Sequence, residues 1–387
     1  MLKLITLLLT SSMTVMAGAT IAPALPQIQQ FFQTEPNSEF WVKLMLTLPG
    51  LFTAIGSPFA GIIIDRFGRK PLLIGAVILY GLAGGSGLVL RSLTGLLIGR
   101  AFLGLAVGAI MTTSIALIAD YYLGPKRNQT MGIQAAFMGY GGVVFLTLGG
   151  LLADLGWRVP FSIYLSAFLV LPLVIFCLSE PKVELEHNPR LVEDSDAKLP
   201  IGIIAFIYAL TFLTMVVFYM IPVQLPFYLK SLGQVGGTQA GIAIASSTLA
   251  SAVISMRYGN IKTRLSFTGV LIVLYLLLGL GYVTIFLAAN YALVILGLII
   301  AGLGLGLLLP NMNVWLNAKT PTSARGRVLG GLTTSMFLGQ FCSPIFSQPI
   351  AQQIGLRQTY GVAGIMMLAL AILLIGASVK HRLSRTA

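Results

Sequence analysis

Twelve stretches of mainly apolar residues, each long enough to cross a bilayer as a helix, follow one another along this 387-residue chain. A spanning helix takes about 20 such residues. We place the runs at 4–26, 40–64, 71–90, 95–119, 131–153, 159–178, 200–229, 236–256, 266–288, 291–316, 327–349 and 358–379. Lipid offers no partner for backbone N–H and C=O groups, so each run must satisfy its own backbone as a helix. The chain is 57% hydrophobic and 9% charged, whereas a soluble domain carries roughly a quarter charged residues. The expected fold class is therefore an all-α polytopic membrane protein with twelve transmembrane helices. The first run follows Lys3 and has small residues near Ala17, like a secretory signal, but it is too long and continues into Pro23 and Pro26. An uncleaved first helix is expected.

The formal net charge of +13 is explained by topology rather than by a nucleic-acid partner. With the N-terminus inside, 18 of the 24 Lys and Arg residues fall on the cytoplasmic side. Five, Lys43, Arg91, Arg158, Lys230 and Arg357, fall outside, and Arg100 alone lies within a span. This is the positive-inside bias. It predicts a multi-pass protein of the plasma or inner membrane with both termini cytoplasmic, and it allows contact with anionic lipid. Cys177 and Cys342 sit in apolar runs and His187 and His381 in polar segments, so neither a disulfide nor a metal site is expected. No cofactor is expected, and there is no phosphate-binding Gly-x-x-x-x-Gly-Lys-Ser/Thr loop. Gly84-Gly-Ser86-Gly87 could present a nucleophile, but no histidine base lies in a span, so the chain is expected not to be an enzyme.

The chain repeats itself. A shift of 198 residues lays Gly61 on Gly259, Arg66 on Arg264, Gly104 on Gly302, Gly108 on Gly306, Arg127 on Arg325, Gly132 on Gly330 and Gly141 on Gly339. Six spans per half give a parallel repeat about an axis along the membrane normal, which favours a site where the halves meet. The expected organisation is a six-helix bundle at 1–178, a cytoplasmic linker at 179–199 and a second bundle at 200–387. The linker holds six of the eleven acidic residues and reads as a solvated segment.

Between the second and third runs stands Gly61-Ile-Ile-Ile-Asp65-Arg66-Phe-Gly68-Arg69-Lys70. A plain positive-inside turn requires neither Asp65 nor two glycines. With this hairpin the chain resembles the major facilitator superfamily over nearly its whole length. The resemblance implies the major facilitator fold of two six-helix bundles. It implies that Gly61 packs closely against a neighbouring helix, and that Asp65 and Arg69 form a charge relay with Asp120 that latches the outward-open state. Arg66, Gly68 and Lys70 complete the motif. Arg100-Ala-Phe-Leu-Gly104 resembles the family's Arg-x-x-x-Gly motif, which assigns Arg100 a polar contact to the first helix and a part in coupling or substrate binding. Antiporter branches carry Gly-Pro-x-x-Gly-Gly in the fifth helix. Here Gly149-Gly150 are present but Phe145-Leu146 replace Gly-Pro, which weakens an inference of proton-coupled drug antiport.

Polar residues within spans are the substrate-binding candidates, because lipid excludes them. They are Gln134, Tyr140, Tyr219, Asn311, Asn313, Trp315 and Gln340, with Met13, Met16, Phe212 and Phe218 as a soft apolar wall. Carboxylates are scarce: none follows Asp196, and Glu39 with Lys43 and Asp154 with Arg158 read as i,i+4 pairs at exposed outer ends. Glu39, Asp154 and the latch are the groups open to proton coupling. The expected function is secondary active transport of a small organic molecule by alternating access, with efflux favoured and protons a candidate partner, by a monomeric carrier. An uptake carrier or uniporter for a small organic anion, and a transport-inactive receptor on the same fold, are the alternatives.

Overall fold

The computed structural model describes residues 2–181, 199–233, 236–321 and 324–386, which fold into α-helices joined within each half by short connections. In chain order they are α1 (Leu2–Phe31), α2 (Ser38–Phe67), α3 (Arg69–Leu88), α4 (Leu93–Tyr121), α5 (Gly124–Leu155) and α6 (Val159–Cys177). They continue with α7 (Ile201–Ser231), α8 (Gly237–Met256), α9 (Phe267–Leu287), α10 (Tyr291–Lys319), α11 (Arg325–Ile354) and α12 (Leu356–Thr386). Among the described residues eleven of these are long and apolar enough to cross a membrane. The exception is α11, a 30-residue helix whose Gln, Ser and Thr side chains lower its apolarity. It packs against both α7 and α2, so protein rather than lipid covers much of it. The helix α5 starts at Gly124, seven residues before the predicted span, because the polar stretch Pro125–Thr130 continues the helix past the apolar run.

Helices α1–α6 pack among themselves, as do α7–α12, and the two bundles meet through α2 with α11 and α5 with α8. The 198-residue repeat is a repeat of packing. A side chain at Gly104 would collide with the carbonyl of Pro49, and one at Gly302 with the carbonyl of Ser247, which is Pro49 plus 198. Gly108 lies against Thr53, and Gly306 against Ser251, the residue at the same offset. Small residues let helix backbones touch where no hydrophobic force drives helices together in lipid.

Three long helices are interrupted, each about one turn before a proline. In α1 the first helix ends at Ala19, four residues before Pro23. The helix ending at Phe218 in α7 lies four residues before Pro222, and in α10 the break at Gly306 lies four before Pro310. Proline has no N–H to give the i−4 carbonyl, and its ring clashes with it. Tyrosines of the peripheral helices bond to carbonyls near two of these breaks. Tyr80 of α3 donates to Met13 O at 2.7 Å and Tyr164 of α6 to Ala17 O at 3.0 Å. Tyr282 of α9 donates to Val217 O at 2.6 Å and Tyr360 of α12 to Met220 O at 3.1 Å. Sequence inspection missed this set because its spacing departs from the 198-residue offset.

Candidate functional site

Where the two bundles face each other they enclose a cavity of about 790 Å³, lined by α1, α2, α4, α5, α7, α8, α10 and α11. It opens toward the face that carries both chain termini. Gly61, Gly132, Gly259 and Gly330 all lie toward that face, and an added Cβ would meet no atom within 4 Å at any of them. Gly61 therefore makes no close helix contact in this state, contrary to the expectation from its motif, because the bundles are apart where it stands.

The opposite face is sealed along two seams. In the first, α5 and α8 touch backbone to backbone. A Cβ on Gly150 would come within 2.6 Å of Gly237 O, and one on Gly241 within 2.5 Å of Leu146 O. Gly150 of the retained glycine pair thus closes the seam, while Gly149 presses on the Thr20 carbonyl within its own bundle. Asp154 finishes this seam. Its carboxylate accepts from the Gly237 and Thr238 N–H groups and the Thr238 hydroxyl, capping α8 from the other bundle. The predicted Asp154–Arg158 pairing is replaced by this contact, because Gly236 at the N-cap has no side chain to satisfy those donors. Arg158 instead stacks on Trp157, 4.3 Å from the ring centre, and donates to Leu90 O. Loss of an N-cap costs roughly 0.5–2 kcal/mol. Asp154→Ala should accordingly weaken closure of this face about two- to thirtyfold, read as faster labelling of a cysteine placed at Pro222 by a membrane-impermeant reagent added from this face only.

In the second seam the Glu39–Lys43 pair is present at 2.9 Å, but Lys43 is fully buried rather than exposed. The reason lies across the interface. Its ammonium donates to Gln348 Oε1 of α11 and sits 4.5 Å from the centre of the Phe227 ring of α7. Gln224 donates to Gln348 Oε1 at 3.2 Å and to Ser347 Oγ at 3.1 Å.

At the terminus-bearing face, Arg69 Nε donates to Asp120 Oδ2 at 3.0 Å. Both groups belong to the first bundle, so the pair coexists with an open cavity mouth. Asp65 is exposed and makes no side-chain hydrogen bond or ion pair among the described residues. Arg66 lies over Phe67. Gly68 turns the chain with φ 90°, a left-handed conformation that favours glycine. Beyond it, the backbone N–H groups of Arg69 and Lys70 each donate to the Glu180 carboxylate at 2.7 Å. Glu180 is thus bound, not solvated as expected for the linker. The free N–H groups at the start of α3 draw it in, since an anion is favoured there. The rest of the linker, 182–198, lies outside the described residues.

Arg100 is 2% exposed and does not line the cavity. Its Nη1 donates to Tyr164 Oη at 2.9 Å, and the tyrosine passes the contact on to Ala17 O of α1. The guanidinium also lies 4.7 Å and 4.9 Å from the Phe161 and Tyr164 ring centres. The expected contact to the first helix is thus made through a tyrosine.

Of the predicted binding residues, Tyr140, Tyr219, Asn313 and Gln340 line the cavity. Three do not. Gln134 donates to Ser11 Oγ at 2.6 Å, Asn311 bridges Tyr258 Oη and Phe267 O, and Trp315 stacks flat on Phe267. Each is spent on helix packing, which satisfies a polar group in lipid as well as a ligand would. Of the predicted apolar wall only Phe218 faces the cavity; its soft lining is Met111, Met138, Met215, Met256 and Met336. Ser251 and Ser255 also line it and were missed, although serines four apart on one helix share a face.

Comparison with known proteins agrees with this geometry. The family model described as Major Facilitator Superfamily matches residues 7–234 and 207–385. The multi-drug resistance efflux pump PmrA of Streptococcus pneumoniae serotype 4 is 22% identical over 89% of each chain. The multidrug resistance protein MdtG of Salmonella choleraesuis is 28% identical over 91% of this chain and 89% of its own. Among solved structures, a D-xylose-proton symporter superposes with a TM-score of 0.83 at 16% identity, covering 96% of both chains. A bacterial homologue of the human lysosomal transporter Spinster, inward-facing and occupied, gives 0.76 at 18% identity over 99% of this chain and 96% of its own. At these identities the structures speak for the fold alone.

Proposed function

This chain belongs to the Major Facilitator Superfamily, and from that premise we propose that it is a secondary active exporter of small organic molecules working by alternating access. The carrying observation is one central cavity between two pseudo-equivalent bundles, open at one face and sealed by separable seams at the other. Its volume of about 790 Å³ lies within the range of small-molecule sites. With the basic face cytoplasmic, as the positive-inside bias argues, the carrier stands open to the cytoplasm, ready to load cargo for export. The multidrug names of its relatives support the same direction.

In this reading residues 179–199 join two bundles that rock about the cavity, and one chain suffices. The Asp65–Arg66–Gly68–Arg69–Lys70 hairpin and Asp120 form the cytoplasmic latch, with Asp65 held ready to engage as that face closes. Among the described residues no carboxylate, histidine or basic side chain lines the cavity. Proton coupling would therefore act through Glu39 and Asp154 at the outer seams or through the latch. The anion-carrier alternative rested on Arg100, which is boxed between aromatic rings away from the cavity. Radiolabelled chloramphenicol flux in proteoliposomes, with and without an imposed pH gradient, tests the proposal. Protein-dependent flux is expected, and flux equal to that of protein-free liposomes would defeat it. Flux indifferent to the gradient would remove protons as the driving ion.

A further inference from the structure

The cavity walls differ in one respect that bears on cargo. On the α1–α6 side the polar lining groups are already engaged. Thr14 donates to Ser11 O at 2.7 Å, Thr47 to Leu44 O at 3.3 Å, Thr53 to Gly104 O at 3.0 Å, and Tyr140 lies 3.8 Å from Met256 Sδ. The remainder of that wall is Val, Ala, Gly, Leu, Pro and Met.

On the α7–α12 side, five lining residues retain free hydrogen-bonding groups. The hydroxyls of Tyr219, Ser251 and Ser255 and the amide of Gln340 have no side-chain hydrogen bond within the described residues. Asn313 spends only its Nδ2, on Leu309 O at 2.8 Å, leaving Oδ1 available. Tyr219 stands at the break in α7, its hydroxyl 3.5 Å from where a side chain at Gly18 would begin. No charged side chain accompanies these groups.

We propose that the cargo is an uncharged amphiphile, its hydrogen-bonding edge docked on Tyr219, Ser251, Ser255, Asn313 and Gln340 and its apolar body laid on the α1–α6 wall. The inference rests on the alternating-access reading. A carrier passes through an occluded step in which water leaves the cavity, and an ion without a countercharge is then heavily penalised. Hydroxyls and amides left unpaired at that step are penalised too, so the cargo must answer them with donors and acceptors. Methionines on both walls let the apolar contact adapt to varied shapes. The aromatic faces of Tyr140, Phe218, Tyr219 and Phe337 and neutral oxygens such as Asn313 Oδ1 offer a cation only modest attraction, with no carboxylate among the described lining residues.

Three probes of similar bulk decide the matter: neutral triphenylphosphine oxide, cationic tetraphenylphosphonium and anionic tetraphenylborate. Their equilibrium binding is measured by calorimetry on the full chain in nanodiscs, against empty nanodiscs. The neutral acceptor should bind at least tenfold more tightly than either ion. Tyr219→Phe and Gln340→Leu should each weaken it roughly fivefold while leaving apolar triphenylmethane unchanged. Tighter binding of either ion, or binding of none of the probes, overturns the charge argument. Binding indifferent to both substitutions in monodisperse protein overturns the assignment of the polar edge. Expected binding without flux in proteoliposomes would sink the transporter reading but leave the cavity chemistry in place, so the two failures are separable.

Discussion

Replacing Gly150 with valine is expected to abolish transport while the protein remains folded. In the sealed seam a Cβ at this position would stand 2.6 Å from the Gly237 carbonyl oxygen, and valine adds two methyl groups beyond it. The obstacle is backbone on both sides, so no flexible side chain can move aside. Overpacking a fitted contact costs roughly 1–3 kcal/mol, which shifts the balance against the sealed state about 5- to 150-fold. The contact joins two bundles rather than helices of one bundle, so the bundles can part and keep their own cores. The carrier would then rest with its far face open. A cysteine at Pro222, in a background lacking Cys177 and Cys342, should label rapidly from that face, and chloramphenicol flux should fall to the liposome baseline. Wild-type flux and labelling would show that this seam does not gate transport.

The second large effect is on stability. Arg100→Ala should destabilise the first bundle by roughly 2–5 kcal/mol, the range for large-to-small changes in a packed core. The substitution empties the space between Phe161 and Tyr164 and removes the donor to Tyr164 Oη. That tyrosine holds the Ala17 carbonyl of α1, so the loss reaches the helix that lines the cavity. A fall of several degrees in the unfolding temperature of purified protein is expected, with Arg100→Lys intermediate because it keeps the charge but not the planar stack. Probe affinity per folded molecule should change little, since Arg100 does not line the cavity. An unchanged unfolding temperature together with an altered pH profile of flux would instead make Arg100 a coupling residue.

Much of the architecture was legible because lipid simplifies the code. Backbone satisfaction forces helices, and span length fixes their number. The glycine matches at an offset of 198 also carried true tertiary information, since Gly104 and Gly302 pack on Pro49 and Ser247. Individual polar residues were far less legible. Asn311, Asn313 and Trp315 lie within one turn or so of each other, yet only Asn313 faces the cavity. A polar side chain in a span is answered equally well by a neighbouring helix or by a ligand, and its type does not say which.

The charged residues mark the boundary most plainly. The sequence by itself determined a twelve-helix, two-bundle membrane protein with a basic face, because hydropathy, charge bias and internal repetition act along the chain. Only the tertiary structure decided what Lys43, Asp154 and Glu180 do. Each read as a residue of an exposed end, and each is claimed by a group distant in sequence: Gln348 for Lys43, the start of α8 for Asp154, the start of α3 for Glu180. A buried ammonium and unsatisfied helix N–H groups take the partner that packing brings near, and packing between helices is set by the whole fold rather than by neighbours in the chain.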